Sequence, residues 1–233
     1  MKYFEDNFFE KFKSEEFKSL HNSSHLKKEI TESLAILNGV QKLFKKLGVE
    51  DTSSVLFFDI CSGKGFNSLI LHFAYPDSQI VMMDNDPNIK FRHLHATRNV
   101  HFELMDIRKN TFVEAVTRWT RNSGKSTVVL LGMHLCGPLA ARLIEVFDGL
   151  TFTSGLVLSP CCLPRKNEKE VKNLRPLSKT LHQNEYKIWS LWLHLLLRTS
   201  PKELYEDYNM MCDKSNVILS LRLRPTRLPP PEP

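Results

Sequence analysis

Short apolar runs alternate with amphipathic segments through the middle of the chain, which is the pattern of a parallel sheet with helices on its faces. The apolar runs are mostly β-favouring, as expected for strands that are covered on both sides. They predict five strands, at 54–59, 79–83, 100–105, 127–131 and 154–158. The segments between them predict four helices, at 66–74, 86–97, 111–121 and 139–147. We therefore expect an α/β fold with a doubly wound, mostly parallel sheet.

Helical periodicity replaces this alternation before the first strand. Residues 25–47 carry an apolar stripe at helical spacing, and Gly48 is placed to end that helix. Phenylalanines recur near helical spacing over residues 1–21, which predicts a further amphipathic helix. We expect residues 1–50 to form an N-terminal helical extension.

The pattern also becomes less regular after the fifth strand. Residues 167–184 predict a polar helix that Pro176 interrupts, residues 188–197 a buried helix, and residues 216–223 a last strand. The final residues are rich in proline and predict a disordered tail. The expected organisation is a helical extension over 1–50, the main domain over 51–224 and the tail over 225–233.

The first strand runs directly into a glycine turn and a new helix, an arrangement that can hold a nucleoside cofactor against the main chain. Asp59 closes the strand, and Gly63 and Gly65 lie in the turn. A phosphate-binding loop is excluded, because neither Gly-Lys pair in the chain has the neighbours that such a loop requires. A dinucleotide fingerprint stays open, although Ser68 replaces its third glycine, because Asp84 lies about 20 residues further on.

Acidic residues close the next two strands as well, at Asp84 and Asp106. With the spacing Asp59-x-x-x-Gly63-x-Gly65 they resemble the class I S-adenosylmethionine-dependent methyltransferases. The resemblance implies a Rossmann-like fold and S-adenosyl-L-methionine as cofactor, with the turn near its methionine and ribose. It also implies that the acid after strand two holds the ribose hydroxyls and the acid after strand three the adenine amine, since carboxylates are strong acceptors. Cys61 stands where this family often has a further glycine. The predicted cofactor contacts are Asp59, Cys61, Ser62, Gly63, Gly65, Asp84 and Asp106.

Two more motifs follow the fourth and fifth strands: His134-Leu135-Cys136-Gly137 and Pro160-Cys161-Cys162. They resemble a branch of that family that includes the tRNA 2′-O-methyltransferases of the CCHC-finger type. The same branch contains the methyltransferase-25-like proteins and the methyltransferase domain of the glutathione S-transferase C-terminal domain-containing protein. The resemblance covers about residues 54–166 and implies an RNA substrate, with a place in tRNA processing.

The same motifs supply the candidate catalytic residues His134, Cys136, Cys161 and Cys162, because the carboxyl ends of neighbouring strands meet at one edge of a sheet. Three roles stay open: lining of the pocket by small apolar thiols, a general-base role for His134, and covalent attack by a cysteine on a pyrimidine ring. The residue types also suit zinc, but Cys161 and Cys162 lack the usual two-residue spacer. We therefore predict no metal site.

Charge and composition bear on partners and location. The formal net charge of +6 favours a polyanionic partner such as RNA, although a solvated basic surface would give the same excess. Methylation of RNA is thus the expected activity, with protein methylation and a non-catalytic binding module as alternatives. No apolar run reaches the roughly 18–20 residues of a membrane span, so we expect no membrane contact. Five cysteines indicate reduced thiols and a cytoplasmic or nuclear location, and no pattern indicates an oligomer.

Overall fold

The computed structural model describes residues 12–21, 23–89, 91–164 and 172–228. The strands in these residues are β1 (Val55–Ile60), β2 (Gln79–Asp84), β3 (Val100–Leu104), β4 (Thr127–Leu135), β5 (Gly155–Pro160), β6 (Lys202–Glu206) and β7 (Asn216–Leu221). These seven described strands form one sheet in the order β3-β2-β1-β4-β5-β7-β6. Strand β7 runs antiparallel to both of its neighbours, and the other neighbouring pairs are parallel. The predicted α/β fold is confirmed.

Helices cover both faces of this sheet. The α-helices of the described residues are α1 (Lys18–His21), α2 (Leu26–Leu47), α3 (Phe66–Ala74), α4 (Thr111–Ser123), α5 (Pro138–Gly149), α6 (Leu174–Thr180) and α7 (Glu185–Leu196). Short 3-10 helices occur at Glu15–Phe17, Thr52–Ser54 and Arg92–Ala96. Each of the described helices is too short or too polar to cross a lipid bilayer.

Strand β1 shows why the apolar runs are continuous. All six of its residues are buried. Leu56 and Phe58 belong to the core cluster that includes residues of α4, α5 and α7, whereas Val55 and Phe57 belong to the one that includes residues of α2 and α3. Side chains alternate between the two faces of a strand, so a strand covered on both sides needs apolar residues at every position.

Helix α2 lies unusually close to the sheet. A Cβ atom on Gly39 would come within 2.5 Å of Val157 Cγ1, and one on Gly155 within 3.0 Å of Leu43 Cγ. The two glycines therefore let the helix backbone approach β5. Gly48 ends the helix in a left-handed conformation with φ 68°, as its position in the sequence predicts.

Three stretches differ from the sequence-based prediction. The α-helix expected over residues 86–97 is wrong: Asp86 accepts a hydrogen bond from the Asn88 N–H, a local turn that competes with helix formation, and the 3-10 helix Arg92–Ala96 follows. Pro176 does not interrupt a helix but lies in the first turn of α6, where its missing N–H would have no partner. Strand β6 was not predicted, because its sequence Lys-Glu-Leu-Tyr-Glu is mostly polar.

The two ends of the chain are described only in part. Residues 1–11 of the helix predicted over 1–21 lie outside the described residues, and the remainder forms Glu15–Phe17 and α1. Of the predicted tail, residues 229–233 lie outside the described residues. Thr226 is held in place, because its N–H donates to the Thr151 carbonyl oxygen at 3.0 Å and the two hydroxyls are 2.8 Å apart.

Candidate active site

The predicted site residues gather at the carboxyl edge of the sheet, around β1 and β4. The chain order of the strands reverses between these two neighbours, since β1 is followed by β2 on one side and β4 by β5 on the other. In open α/β sheets ligands bind in the crevice beyond the carboxyl ends of the strands at such a reversal. The glycine turn after β1 and the motif at the end of β4 form the two sides of this crevice.

The turn after β1 is built from residues with left-handed backbone. Gly63 has φ 51° and Gly65 φ 82°, and Cys61 also has a positive φ, at 54°. The turn is closed by the Gly65 N–H, which donates to the Ser62 carbonyl oxygen at 2.9 Å. Cys61 thus holds a backbone conformation that glycine adopts more easily. This agrees with the glycine that the class I methyltransferases often have at this position.

The two glycines of the turn serve different purposes. A Cβ atom on Gly65 would lie 2.9 Å from the Sδ of the buried Met82, so a side chain here would force the flexible end of Met82 to move. A Cβ atom on Gly63 would meet nothing within 4 Å. Packing therefore favours glycine at position 65, whereas Gly63 leaves its main chain open to a ligand.

Asp59 supports the turn from inside the protein. Its side chain is fully buried and accepts hydrogen bonds from Asn67 Nδ2 at 3.1 Å and Ser68 Oγ at 2.7 Å, both in the first turn of α3. Burial raises the pKa of this carboxyl to about 6, against the hydrogen bonds that lower it. The carboxylate fixes the start of α3, and its direct contact with a cofactor stays a prediction.

The other two predicted acids lie where the spacing places them, at the ends of β2 and β3. Asp84 Oδ2 accepts a hydrogen bond from the Gly63 N–H at 2.9 Å, which ties the acid to the glycine turn. Asp106 pairs with Arg108 at 2.7 Å, and this hydrogen-bonded guanidinium lowers the pKa of the carboxyl to about 2. Both acids are partly exposed. Asp84 retains lone pairs for a ligand, whereas Arg108 donates to both oxygens of Asp106.

A cavity of about 320 Å³ connects the glycine turn to the end of β4. It is closed on its third side by the N-terminal part of α2, which the sequence did not assign to the site. Its lining residues are Glu29, Glu32, Ser33, Cys61, Ser62, Gly63, Lys64, Phe66, Asn67, Met133 and His134.

Glu32 is the main site residue that sequence reasoning missed. It is 1% exposed, and its Oε1 lies 2.6 Å from His134 Nε2 and 2.7 Å from Lys28 Nζ. Burial alone would raise the pKa of Glu32, but these two partners outweigh it and lower the pKa. A signal was available: Glu32 continues the buried stripe of Ile36 and Val40, so an acid occupies a core position of the helix.

His134 reaches this carboxylate because β4 is irregular at its end. The pairing of β4 with β5 shifts between Met133 and Leu135, and His134 has φ 56°. An extra residue of this kind re-aims a side chain out of the regular alternation. Burial would lower the pKa of His134, but the Cys161 thiol and the Glu32 carboxylate outweigh it and raise the pKa to about 9. The imidazole is therefore protonated at neutral pH.

The three predicted thiols beyond β4 and β5 come together. The Sγ atoms of Cys136, Cys161 and Cys162 all lie within 4.8 Å of one another. The two loops are joined by the Gly137 N–H, which donates to the Cys162 carbonyl oxygen at 2.9 Å. A hydrogen bond from Cys161 lowers the pKa of Cys136 to about 7.

Cys61 has the opposite electrostatic environment. Burial, followed by the negative charge of Asp84, raises the pKa of its thiol to about 12. It is therefore no nucleophile at neutral pH. The structure brings the four candidate catalytic residues to one place, and the role of each stays a prediction.

Comparisons with known proteins agree with this geometry. A family model described as a methyltransferase domain matches residues 27–168. The chain is similar in structure to the plantazolicin methyltransferase BpumL in complex with SAH, with 8% identity, 89% of this chain and 90% of that chain covered, and a TM-score of 0.50. It is also similar to human N-acetylserotonin methyltransferase in complex with SAM, with 13% identity and a TM-score of 0.42. The likeness covers 90% of this chain and 59% of that chain. A further similar structure is the fibrillarin pre-rRNA processing protein of Methanococcus jannaschii (11% identity, 71% and 65% covered, TM-score 0.43). No curated protein matches the sequence.

Proposed function

Because the chain belongs to the methyltransferase domain family, we propose that it transfers a methyl group from S-adenosylmethionine to RNA. The observation that carries the cofactor assignment is the cavity between the glycine turn and Glu32. The BpumL structure, which contains SAH, shares the fold. The RNA assignment rests on charge and on the resemblance of the His-Leu-Cys-Gly and Pro-Cys-Cys motifs.

The polar groups of the cavity fit the amino-acid end of the cofactor. Ser62 Oγ is buried in it without a hydrogen-bond partner among the described residues, and the buried Glu32 carboxylate lines the same cavity. The cationic amino group of S-adenosylmethionine would donate to these oxygens and add to the partners that Glu32 already has in His134 and Lys28. The positive end of the α3 dipole suits the carboxylate of the same end.

The remaining parts of the cofactor correspond to the acids at the strand ends. Asp84 would hold the ribose hydroxyls, since it is already fixed beside the turn by the Gly63 N–H. Asp106 would accept from the adenine amine, in place of one of the hydrogen bonds that it receives from the exposed Arg108 side chain. When bound, S-adenosylmethionine supplies an activated methyl group that an attacking atom displaces in line.

The chain's own contribution to the chemistry would be positioning, exclusion of water and handling of one proton. His134 lines the cavity next to Glu32 and is the candidate to accept the proton of the attacking group. Since its pKa is raised to about 9, this base becomes available as the pH rises toward that value.

Three lysines border the candidate site and support a polyanionic substrate. Lys28 Nζ lies 3.2 Å from His134 Nε2, and Lys214 Nζ lies 3.2 Å from Cys162 Sγ. Lys64, in the glycine turn, is exposed at the cavity. Phosphate contacts from such side chains fix the position of a nucleic acid without reading its sequence.

Calorimetric titration with S-adenosylmethionine tests the cofactor assignment. Asp84→Ala should weaken binding by about 100-fold, because hydrogen bonds to a charged group are worth about 1.5–3 kcal/mol each. The matched control is Asp77→Ala, which removes an exposed acid just before the other end of β2. If the wild-type chain binds no S-adenosylmethionine, or if Asp84→Ala binds as tightly as the control, the assignment is wrong.

Transfer of a labelled methyl group tests the substrate. The full chain is incubated with total RNA or with total protein, each before and after nuclease or protease treatment. Label that is retained by RNA and released by nuclease supports the proposal. Label in protein alone would replace RNA by a protein substrate, and cofactor binding without any transfer would indicate a binding module.

A further inference from the structure

The thiol cluster beyond β4 and β5 has the dimensions of a metal site. Its three sulfur atoms, those of Cys136, Cys161 and Cys162, lie within 4.8 Å of one another, and the last two are 3.2 Å apart. Ligands at about 2.3 Å from a tetrahedral zinc ion place their sulfur atoms about 3.8 Å apart. The sulfur–sulfur distances of the cluster lie on both sides of about 3.8 Å, so side-chain shifts of about 1 Å would suffice to hold an ion.

The backbone arranges the cluster in spite of the unusual sequence spacing. Side chains of adjacent residues in an extended strand point to opposite sides. The sequence alone therefore does not predict that Cys161 and Cys162 bind one ion together. Beyond the end of β5 both sulfur atoms nevertheless face each other. The hydrogen bond between the Gly137 N–H and the Cys162 carbonyl oxygen then brings the third thiol across from β4.

We propose that Cys136, Cys161 and Cys162 bind one zinc ion through three thiolates and leave its fourth position open. Thiolate ligands select zinc from the common divalent cations, and three protein ligands with one free position are typical of zinc sites that take water or substrate. On binding, each thiol that is still protonated releases its proton to solvent, and the ion stays divalent. The proposal concerns a different ligand from the methyl donor and does not rest on it.

The surroundings of the cluster suit a site of this charge. Cys136 and Cys162 are exposed, so an ion can reach them from solvent. Lys214 Nζ lies 3.2 Å from Cys162 Sγ and 3.6 Å from Cys161 Sγ. Three thiolates and one divalent ion carry a net charge of −1. The Lys214 ammonium group beside the sulfur atoms offsets this charge, as groups that contact metal ligands commonly do.

Titration of the metal-free, reduced full chain with Co²⁺ tests the site. Thiolate ligation should give an intense near-ultraviolet charge-transfer band and visible bands of a tetrahedral ion, saturating at one Co²⁺ per chain and abolished by one equivalent of Zn²⁺. Cys136→Ser and Cys162→Ser should each weaken binding at least about 100-fold, since even outer-shell changes cost 10–100-fold. The matched control is Cys212→Ser, which removes a partly buried thiol outside the cluster and should bind as the wild type does.

A second measurement needs no variant. Zinc should protect Cys136, Cys161 and Cys162 from alkylation and leave the rate at Cys212 unchanged, as read by peptide mass spectrometry. Absence of stoichiometric Co²⁺ binding, equal affinity of the cluster variants and Cys212→Ser, or alkylation that zinc does not slow would each overturn the proposal. Binding of S-adenosylmethionine is measured separately on the same metal-free chain, so failure of either site is distinguishable from failure of the other.

Discussion

The two glycines of the turn after β1 should respond differently to alanine, and this difference tests the geometry of the site. Gly65→Ala places a methyl group on a residue with φ 82° and against the Sδ of Met82 at 2.9 Å. Gly63→Ala places one on a residue with φ 51° and with nothing within 4 Å. Gly124, at the end of α4, has φ 64° and equally free surroundings, so Gly124→Ala is the control for backbone strain far from the site.

The expected losses of stability follow from these contacts. A left-handed backbone conformation costs an L-residue about 1–2 kcal/mol, which is the whole expected effect at Gly63 and Gly124. Overpacking of a core adds about 1–3 kcal/mol, and the flexible end of Met82 favours the lower part of that range. Gly65→Ala should therefore lose about 2–3 kcal/mol of the free energy of unfolding.

Guanidinium unfolding measures stability and calorimetry measures the binding of S-adenosylmethionine. Gly63→Ala and Gly124→Ala should unfold at similar denaturant concentrations, with Gly65→Ala clearly lower. Only Gly63→Ala should combine near-control stability with a loss of affinity of tenfold or more, because its methyl group enters the opening of the cavity. A Gly65→Ala variant as stable as Gly124→Ala would refute the argument that Met82 packs against position 65. A Gly63→Ala variant that binds S-adenosylmethionine like the wild type would refute the argument that the cofactor enters the cavity beside Gly63.

Two further predictions concern titration. Against the burial that lowers it, Cys161 and Glu32 together raise the pKa of His134 to about 9. Glu32→Gln removes the carboxylate and keeps Cys161, so this pKa should fall when the ring protons are followed by NMR. The pH profile of methyl transfer should move down with it, and an unmoved profile would eliminate His134 as the base. Asp59 has a raised pKa of about 6 in the fold, so its contribution to stability is complete below pH 3.8 and is lost as the pH rises through 6. Asp59→Asn should remove this loss of about 3 kcal/mol, and equal pH dependence of unfolding in both proteins would contradict the burial argument.

The parts of the site that follow from strand ends could be predicted from the sequence. The middle of β2 is a continuous apolar run, so its last residue can be counted, and Asp84 lies where counting places it. Asp106 follows the less buried β3 by two residues. The glycine turn is equally local at Gly63 and Gly65, where glycine favours a positive φ, although the positive φ of Cys61 does not follow from its residue type. These features depend on neighbours in the chain alone.

The parts that depend on contacts between distant segments could not be predicted. The orientation of His134 results from a register shift between β4 and β5. The strand ends place the three thiols at one edge of the sheet, but their approach to within 4.8 Å results from the pairing of their two loops. Neither feature changes the hydrophobic periodicity of the sequence. Glu32 is an intermediate case. Its place on the buried stripe of α2 could be predicted from the sequence, but its contact with His134 could not.

Helix α2 joins the two halves of the site, which changes how the N-terminal region should be understood. The glycine turn provides main-chain groups and β4 provides His134, but the cavity between them is closed by Glu32 and Ser33 of α2. The helix is held there by the close approach that Gly39 and Gly155 permit. The match to the methyltransferase domain begins at residue 27, one residue after the start of this helix. The helix that carries the buried Glu32 therefore lies almost wholly within the matched methyltransferase domain, although it precedes the first strand of the sheet.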